Sequence, residues 1–376
     1  MKVLNIVGAR PNFMKIAPLM REMRKHSDIT PLLVHTGQHY DVKMAGQFFE
    51  DLQIPLPNVS LDVGSGTHAV QTAEVMKRLE PIVEQERPDV VLVVGDVNST
   101  MAAALTSVKL HVPVAHVEAG LRSGDRSMPE EINRIVTDAI SDFLFVTEES
   151  GKRNLVAEGV SEKKIFFVGN VMIDSLEASR RLWANSTILE RLQLSNARYA
   201  VATLHRPSNV DDIKVLKGLI DTLLKISERM PIIFPIHPRT KKALEAIGNF
   251  GPGLYFGPAP TPPQGVHCMD PIGYLDFMSL IANARLVLTD SGGIQEETTV
   301  LGIPCLTLRE NTERPITVTH GTNRVIGAVP ARILSEAMKA LDSPRIPLVP
   351  PPLWDGHASE RIVQVLRDQI LSRQVT

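Results

Sequence analysis

The chain has 376 residues, 43% of them hydrophobic and 22% charged, with a formal net charge of −2. That length exceeds one ordinary core and points to two domains, and the composition excludes a disordered chain. The near-neutral balance excludes the basic field that nucleic acid or an anionic membrane surface would require, but leaves small phosphorylated ligands, which need only a local pocket.

The opening residues, MKVLNIVGARPNF, hold an apolar run ended by Gly8 and Pro11 and followed by Lys15, Arg21, Arg24 and Lys25. This run is too short for the apolar core of a signal peptide. No stretch approaches the roughly 18 apolar residues of a membrane span, so a cytoplasmic protein is expected. Residues 2–7 (KVLNIV), 31–36 (PLLVHT), 89–94 (DVVLVV), 113–117 (PVAHV) and 143–146 (FLFV) read as strands buried on both faces. Amphipathic stretches at 42–52, 67–86, 98–110 and 129–140 read as the helices between them. The alternation is the signature of βαβ units around a parallel sheet.

The pattern restarts near residue 198, with RYAVATL, PIIFPI, LYF, RLVLT and PCLTL as strands. Helices are expected near 211–229, 239–248, 273–283, 292–301 and 330–342, and a final one at about 358–373 after the proline-rich IPLVPPPLW. A second proline cluster, Pro258, Pro260, Pro262 and Pro263, marks a rigid exposed loop. The expected class is α/β with two doubly wound Rossmann-like domains, residues 1–170 and 171–357, and a terminal helix in 358–376. Ligands of such sheets bind beyond the carboxyl ends of the strands, so a cleft between two of them is the natural site.

Residues that follow strands therefore carry the chemistry. In GARPNFMK, Gly8 permits a tight turn, and Arg10 and Lys15 are either solvated cations or partners of an anion. The pattern GSGTHA at Gly64–Ala69 matches the dinucleotide fingerprint formally. It does not follow the first strand and lacks a strand-terminal acid about 20 residues on, so NAD is not expected. Asp96 follows VLVVG, Glu118 follows PVAHV, and Glu130 with Glu131 opens PEEINR. In HVEAGLRSGDRSMPEEINR the acids and arginines alternate so closely that some must pair, and Glu130 could serve only the positive helix end. Three acids at strand ends nonetheless suggest acid/base work on a sugar.

In the second half, His205 with Arg206 and His237 with Arg239 occupy corresponding strand ends. No His or Cys spacing suits a metal, and Cys268 and Cys305 lie in apolar surroundings as inert thiols. In RLVLTDSGGIQEETTVLG, a strand, the turn Asp290–Gly293 and a helix follow one another. Adjacent glycines let backbone N–H groups approach an anion at the positive helix end, unless Ser291 is a simple N-cap.

GARPNFMKIAP, TGQH, VGDVNST, HVEAGLRS, PEEINR, TLHRPSN, IHP, TDSGGIQEE and RENTERP, in this order, resemble the non-hydrolysing UDP-N-acetylglucosamine 2-epimerases from Lys2 to about Arg367. The resemblance implies a glycosyltransferase-B type fold with its domains facing a cleft, a terminal helix crossing back to the first domain, and a homodimer. It implies a UDP-sugar as the ligand, with no redox cofactor or metal. By motif, Arg10, Lys15, His205, His237, Ser291, Gly292, Gly293, Glu297 and Arg314 would hold the substrate, and Phe277 would shape the uridine pocket. Asp96, Glu118 and Glu130, with His205 beside the diphosphate, would carry the catalysis.

Some positions depart from the family. Ala9 and Asn12 stand where Thr and Glu are usual, and Val94 and Val97 replace a His and a Thr. Relatives that bind a second UDP-N-acetylglucosamine as activator use Gln-His-x-Gln and a nearby Arg. Here Gln38 and His39 remain, Asp41 replaces the second Gln, and the Gly64–Ala69 loop has no Arg. Little need for an activator is expected. The TGQHYD form also resembles epimerases of the 2,3-diacetamido uronic-acid analogue, and a glycosyltransferase of the same architecture is a further alternative.

Overall fold

The computed structural model describes residues 1–8, 10–37, 56–195, 198–248, 252–257, 264–344 and 349–371, with the backbone alone for Arg10, Pro11 and Leu371. The expected helix at 42–52, the loop of Pro258 to Pro263, and Gln38, His39 and Asp41 lie outside the described residues. The chain forms two compact units, Met1–Ala178 with Pro352–Thr376, and Ser179–Pro351.

In unit 1, seven parallel strands lie in the order β3-β2-β1-β4-β5-β6-β7. They are β1 (Lys2–Val7), β2 (Thr30–His35), β3 (Val59–Ser60), β4 (Val90–Val94), β5 (Val114–Ala119), β6 (Phe143–Val146) and β7 (Ile165–Phe167). Every residue of β4 and β5 is buried, as a sheet covered on both faces requires. The short edge strands β3 and β7 have too few residues to show an apolar run. Helices α1 (Arg10–Met23), α2 (His68–Glu86), α3 (Asn98–Lys109), α4 (Pro129–Ile140), α5 (Glu149–Ala157) and α6 (Val171–Ala178) cover the sheet. Thr67 caps α2 by accepting from the Val70 N–H, and Pro129 opens α4 with Glu130 and Glu131 in its first turn. Leu4, Ile6, Val91, Val93, Ala102 and Ala103 centre one core.

The unit boundaries differ from 170 and 357. Helix α6 packs on α1, which keeps it in unit 1, and the chain returns to that unit at Pro352. The return is anchored at several points. Trp354 Nε1 donates to the Thr147 carbonyl at 3.0 Å, and Arg361 Nη1 donates to the Val168 carbonyl at 3.0 Å. Asp174 accepts from the backbone N–H groups of Ala358 (3.1 Å) and Ser359 (2.7 Å), the opening of the last helix, Ala358–Leu371. Gly169 has φ +89°, and a Cβ there would lie 2.0 Å from the Leu353 carbonyl oxygen, so only glycine admits the returning chain.

Unit 2 repeats the plan, with the strand order β10-β11-β9-β8-β12-β13-β14, all parallel. The strands are β8 (Ala200–Thr203), β9 (Ile232–Pro235), β10 (Leu254–Phe256), β11 (Val266–Met269), β12 (Leu286–Thr289), β13 (Cys305–Thr307) and β14 (Asn323–Val325). Strand β11 was not expected: VHCM carries no β-branched run, yet it is held between β9 and β10. The longer helices are α7 (Ile213–Ser227), α8 (Pro238–Ile247), α9 (Tyr274–Asn283), α10 (Gly292–Leu301) and α11 (Pro330–Asp342). Cys268 and Cys305 are free and buried, and burial pushes both thiols to about 12.

The two units are thus both doubly wound parallel sheets of Rossmann-like type. The strand order reverses direction between β1 and β4 in unit 1 and between β8 and β12 in unit 2. Those switch points are where such sheets present ligand sites. No described helix is long and apolar enough to cross a membrane.

Candidate active site

At the switch point of unit 1, β5 ends irregularly. Its register to β6 shifts between Val117 and Ala119, and Glu118 has φ +71°, a left-handed conformation that non-glycine residues rarely hold. Glu118 Oε2 forms an ion pair with Lys15 Nζ, their residues only 3% and 6% exposed. Gly95, after β4, has φ +70°, and a Cβ there would lie 2.8 Å from Lys15 Nζ. The positive φ favours glycine here, and a side chain would crowd the pair. Glu118 Oε1 is buried without a hydrogen-bond partner among the described residues. Asn12 fastens α1 to this end of the sheet by donating to the Val94 carbonyl at 2.7 Å.

Asp96 follows Gly95 and meets Arg134 Nη2 at 2.5 Å, while Arg134 Nη1 meets Glu131 at 2.7 Å. Glu131 also accepts from the backbone N–H groups of Ser123 and Gly124. Burial pushes its carboxyl up, but those N–H groups and Arg134 together hold it below the usual range. Glu131 is thus spent on the 123–124 turn. Glu130 is half-buried and makes no hydrogen bond or ion pair among the described residues. The pairing expected within the acid- and arginine-rich segment occurs, but Glu118 takes a lysine from α1 instead of an arginine.

In unit 2, His205 follows β8 and Asp290 follows β12, one on each side of the switch point. Asp290 is fully buried and accepts from the N–H groups of His205 (3.0 Å) and Arg206 (3.0 Å) and from Asn209 Nδ2 (3.1 Å). It also meets His205 Nδ1 at 2.7 Å. Burial pushes the Asp290 carboxyl up, yet His205 and the backbone donors hold it below the usual range. The pair fixes Nδ1 as the inward nitrogen of a ring that is 36% exposed. The His237 ring lies 5.9 Å away, its Nδ1 accepting from the Arg239 N–H at the start of α8. The sequence places Asp290 in the turn; its role as partner to His205, 85 residues earlier, has no local signal.

Helix α10 opens at Gly292 with Ser291 at the N-cap position, and the Ser291 hydroxyl makes no capping bond among the described residues. A Cβ on Gly292 would lie 2.8 Å from Arg314 Nη1. Arg314 joins Glu296 (2.6 Å) and Glu313 (2.7 Å) in a buried cluster that Arg309 extends to Glu313 at 3.0 Å. Next to it Glu297 is pushed up to about 8, by burial first and by Glu296 second, with Tyr274 acting weakly the other way. Phe277 is half-buried, one turn after Tyr274 on α9. Gly64–Ala69 follows edge strand β3, away from the switch point. Among the described residues no group of three or more His, Cys, Asp or Glu is placed to hold a metal ion.

A family model described as UDP-N-acetylglucosamine 2-epimerase matches residues 21–367. A UDP-N-acetylglucosamine 2-epimerase homolog of Methanococcus maripaludis is 44% identical, covering 98% of this chain and 100% of its own. The UDP-2,3-diacetamido-2,3-dideoxy-D-glucuronate 2-epimerase of Pseudomonas aeruginosa is 40% identical, over 91% of this chain and 92% of its own. The crystal structure of Methanocaldococcus jannaschii UDP-GlcNAc 2-epimerase in complex with UDP-GlcNAc and UDP superposes with a TM-score of 0.87 at 40% identity, covering 98% of this chain and 100% of that one.

Proposed function

The chain belongs to the UDP-N-acetylglucosamine 2-epimerase family, and from that premise we propose how its residues invert C-2 of the sugar. The enzyme is a non-hydrolysing isomerase that interconverts UDP-N-acetylglucosamine and UDP-N-acetylmannosamine. The C-2 hydrogen is not adjacent to a carbonyl, so its removal has no enolate to stabilise it. A base takes that proton as the C-1–oxygen bond breaks and UDP departs, leaving 2-acetamidoglucal. Protonation of C-2 on the opposite face, with return of the UDP oxygen to C-1, gives the epimer.

The observation that carries this reading is the Glu118 carboxylate, buried, paired through one oxygen to Lys15 and without a partner at the other among the described residues. A buried carboxylate with one free oxygen supports a role in taking or giving a proton at the sugar. Asp96, held by Arg134, and Glu130, which has no partner among the described residues, supply the further acid/base groups. Ser291, Gly292 and Gly293 at the opening of α10, with His205, take the diphosphate, whose charge the helix end and the imidazole stabilise as it leaves. Glu297, Phe277, Arg314 and His237 complete the nucleotide-binding set, with Arg10 and Lys15 as cations from unit 1. The same reading makes the protein a cytoplasmic homodimer.

The test is incubation with UDP-N-acetylglucosamine in heavy water, followed by NMR. The expected product is the manno epimer with deuterium at C-2, because carboxylic protons exchange with solvent. An epimer without deuterium, or no epimer, overturns the mechanism. The 40% identity to the Pseudomonas aeruginosa enzyme favours one second substrate, the 2,3-diacetamido glucuronate analogue, as a parallel arm of the same experiment.

A further inference from the structure

Strand β5 carries His116 two residues before Glu118, and the imidazole is wholly buried. Its Nδ1 lies 2.6 Å from Asp138 Oδ1 and its Nε2 lies 2.9 Å from the Gly95 carbonyl oxygen. A carbonyl only accepts, so Nε2 carries a hydrogen and donates it. Asp138, on α4 and 1% exposed, accepts at its other oxygen from the Gly120 N–H (3.0 Å) and Arg122 Nη1 (2.7 Å). Arg122 continues to Glu158 through two further bonds, of 2.8 and 2.6 Å. Burial pushes the Asp138 carboxyl up, but His116 and Arg122 hold it below the ordinary range.

One carboxylate therefore grips β5 at residue 116 and the segment after it at residues 120 and 122, on both sides of Glu118. Glu118 sits in a conformation that the chain would leave if it were free to relax. The other ring nitrogen of His116 holds the peptide oxygen immediately before Asp96. A buried charged cluster of this kind is seldom justified by stability, because apolar residues of the same volume do as well or better. Its geometry supplies another reason, since a single imidazole ties together the backbone of both acid-bearing turns.

We propose that His116 and Asp138 are a positioning pair, which touches no substrate and sets the Glu118 backbone and the Gly95–Asp96 peptide for proton transfer at C-2. The inference rests on the epimerase reading and adds to it two residues outside the expected site. Errors of about 1 Å in such settings cost up to roughly 100-fold in rate.

Two substitutions separate the contacts. His116→Gln keeps a nitrogen near the Nε2 position and so the Gly95 bond, whereas His116→Asn keeps one near Nδ1 and so the Asp138 bond. With UDP-N-acetylglucosamine as substrate, His116→Asn should lower kcat about 10–100-fold with UDP affinity within about twofold of wild type, and His116→Gln should retain kcat within about fivefold. A folded His116→Asn enzyme with wild-type kcat overturns the proposal, as does an equal fall in both variants that follows their loss of Tm. If His116→Asn does not fold, Asp138→Asn keeps the shape and removes the charge, and unchanged kcat there overturns it equally. Crystal structures of the variants distinguish failure here from failure of the epimerase reading. An inactive wild type sinks that reading, whereas an undisturbed Gly95 carbonyl and Glu118 φ in His116→Asn sink this one.

Discussion

Lys15 and Glu118, 103 residues apart in sequence, close an ion pair from which water is almost entirely withdrawn. Each depends on the other, because a buried charge stripped of its partner is far costlier than the pair. The carboxylate proposed for proton transfer is thus also part of what holds α1 to the end of β5.

Glu118→Gln should therefore lose both activity and stability. Turnover should fall by about 10²–10⁴, the usual contribution of general acid–base catalysis. Chemical denaturation should show a loss of about 3–5 kcal/mol, the cost of leaving one member of a buried pair uncompensated. UDP affinity should change little, because unit 2 supplies most of the nucleotide-binding set and Lys15 keeps its charge. A stable variant with near wild-type turnover removes Glu118 from the mechanism.

Gly292→Ala places a methyl group 2.8 Å from Arg314 Nη1, inside a cluster whose carboxylates leave the guanidinium little room to move. Shifting Arg314 or the first turn of α10 should weaken UDP at least about tenfold, or 1.4 kcal/mol, in a protein that still folds. Isothermal calorimetry with UDP decides the matter, and unchanged affinity refutes the assignment of this turn to the diphosphate.

Glu297 gives a pH signature. Its folded carboxyl is raised to about 8 from an ordinary 4.5, so between those values the folded state holds a proton that the unfolded state has released. Stability from this group is accordingly lost as pH rises from about 4.5 to about 8, and then levels off. Glu297→Gln, which mimics the protonated form, should flatten that decline in Tm measured from pH 5 to pH 9. Parallel curves for the two proteins would show that Glu297 titrates normally.

The sheets were legible because their central strands are buried on both faces and so read as unbroken apolar runs. Strands β3, β7, β11 and β14 are not legible because they are short or, as in VHCM, carry polar residues that neighbouring strands nevertheless enclose. Asp96 and Glu118 were legible as acids that end strands. What one dimension does not encode is which acid is already engaged. Glu130 and Glu131 are adjacent and alike, and only packing commits Glu131 to Ser123, Gly124 and Arg134. Nor does any local pattern announce the positive φ of Glu118, which depends on restraints at residues 116, 120 and 122 imposed from α4.

The return of the chain at Pro352 has a consequence for synthesis. Unit 2 is encoded between the two parts of unit 1, so a ribosome delivers all of residues 179–351 before it delivers the last helix. Domains usually fold as they emerge, the N-terminal one first. Here the N-terminal unit is the later one to be completed: Asp174 has no helix opening to bind, and Gly169 no Leu353 to meet, until residues 179–351 have all been made. The nascent chain thus carries an unfinished first unit throughout the making of the second, and α1 and α6 lack the last helix that packs on them for that interval.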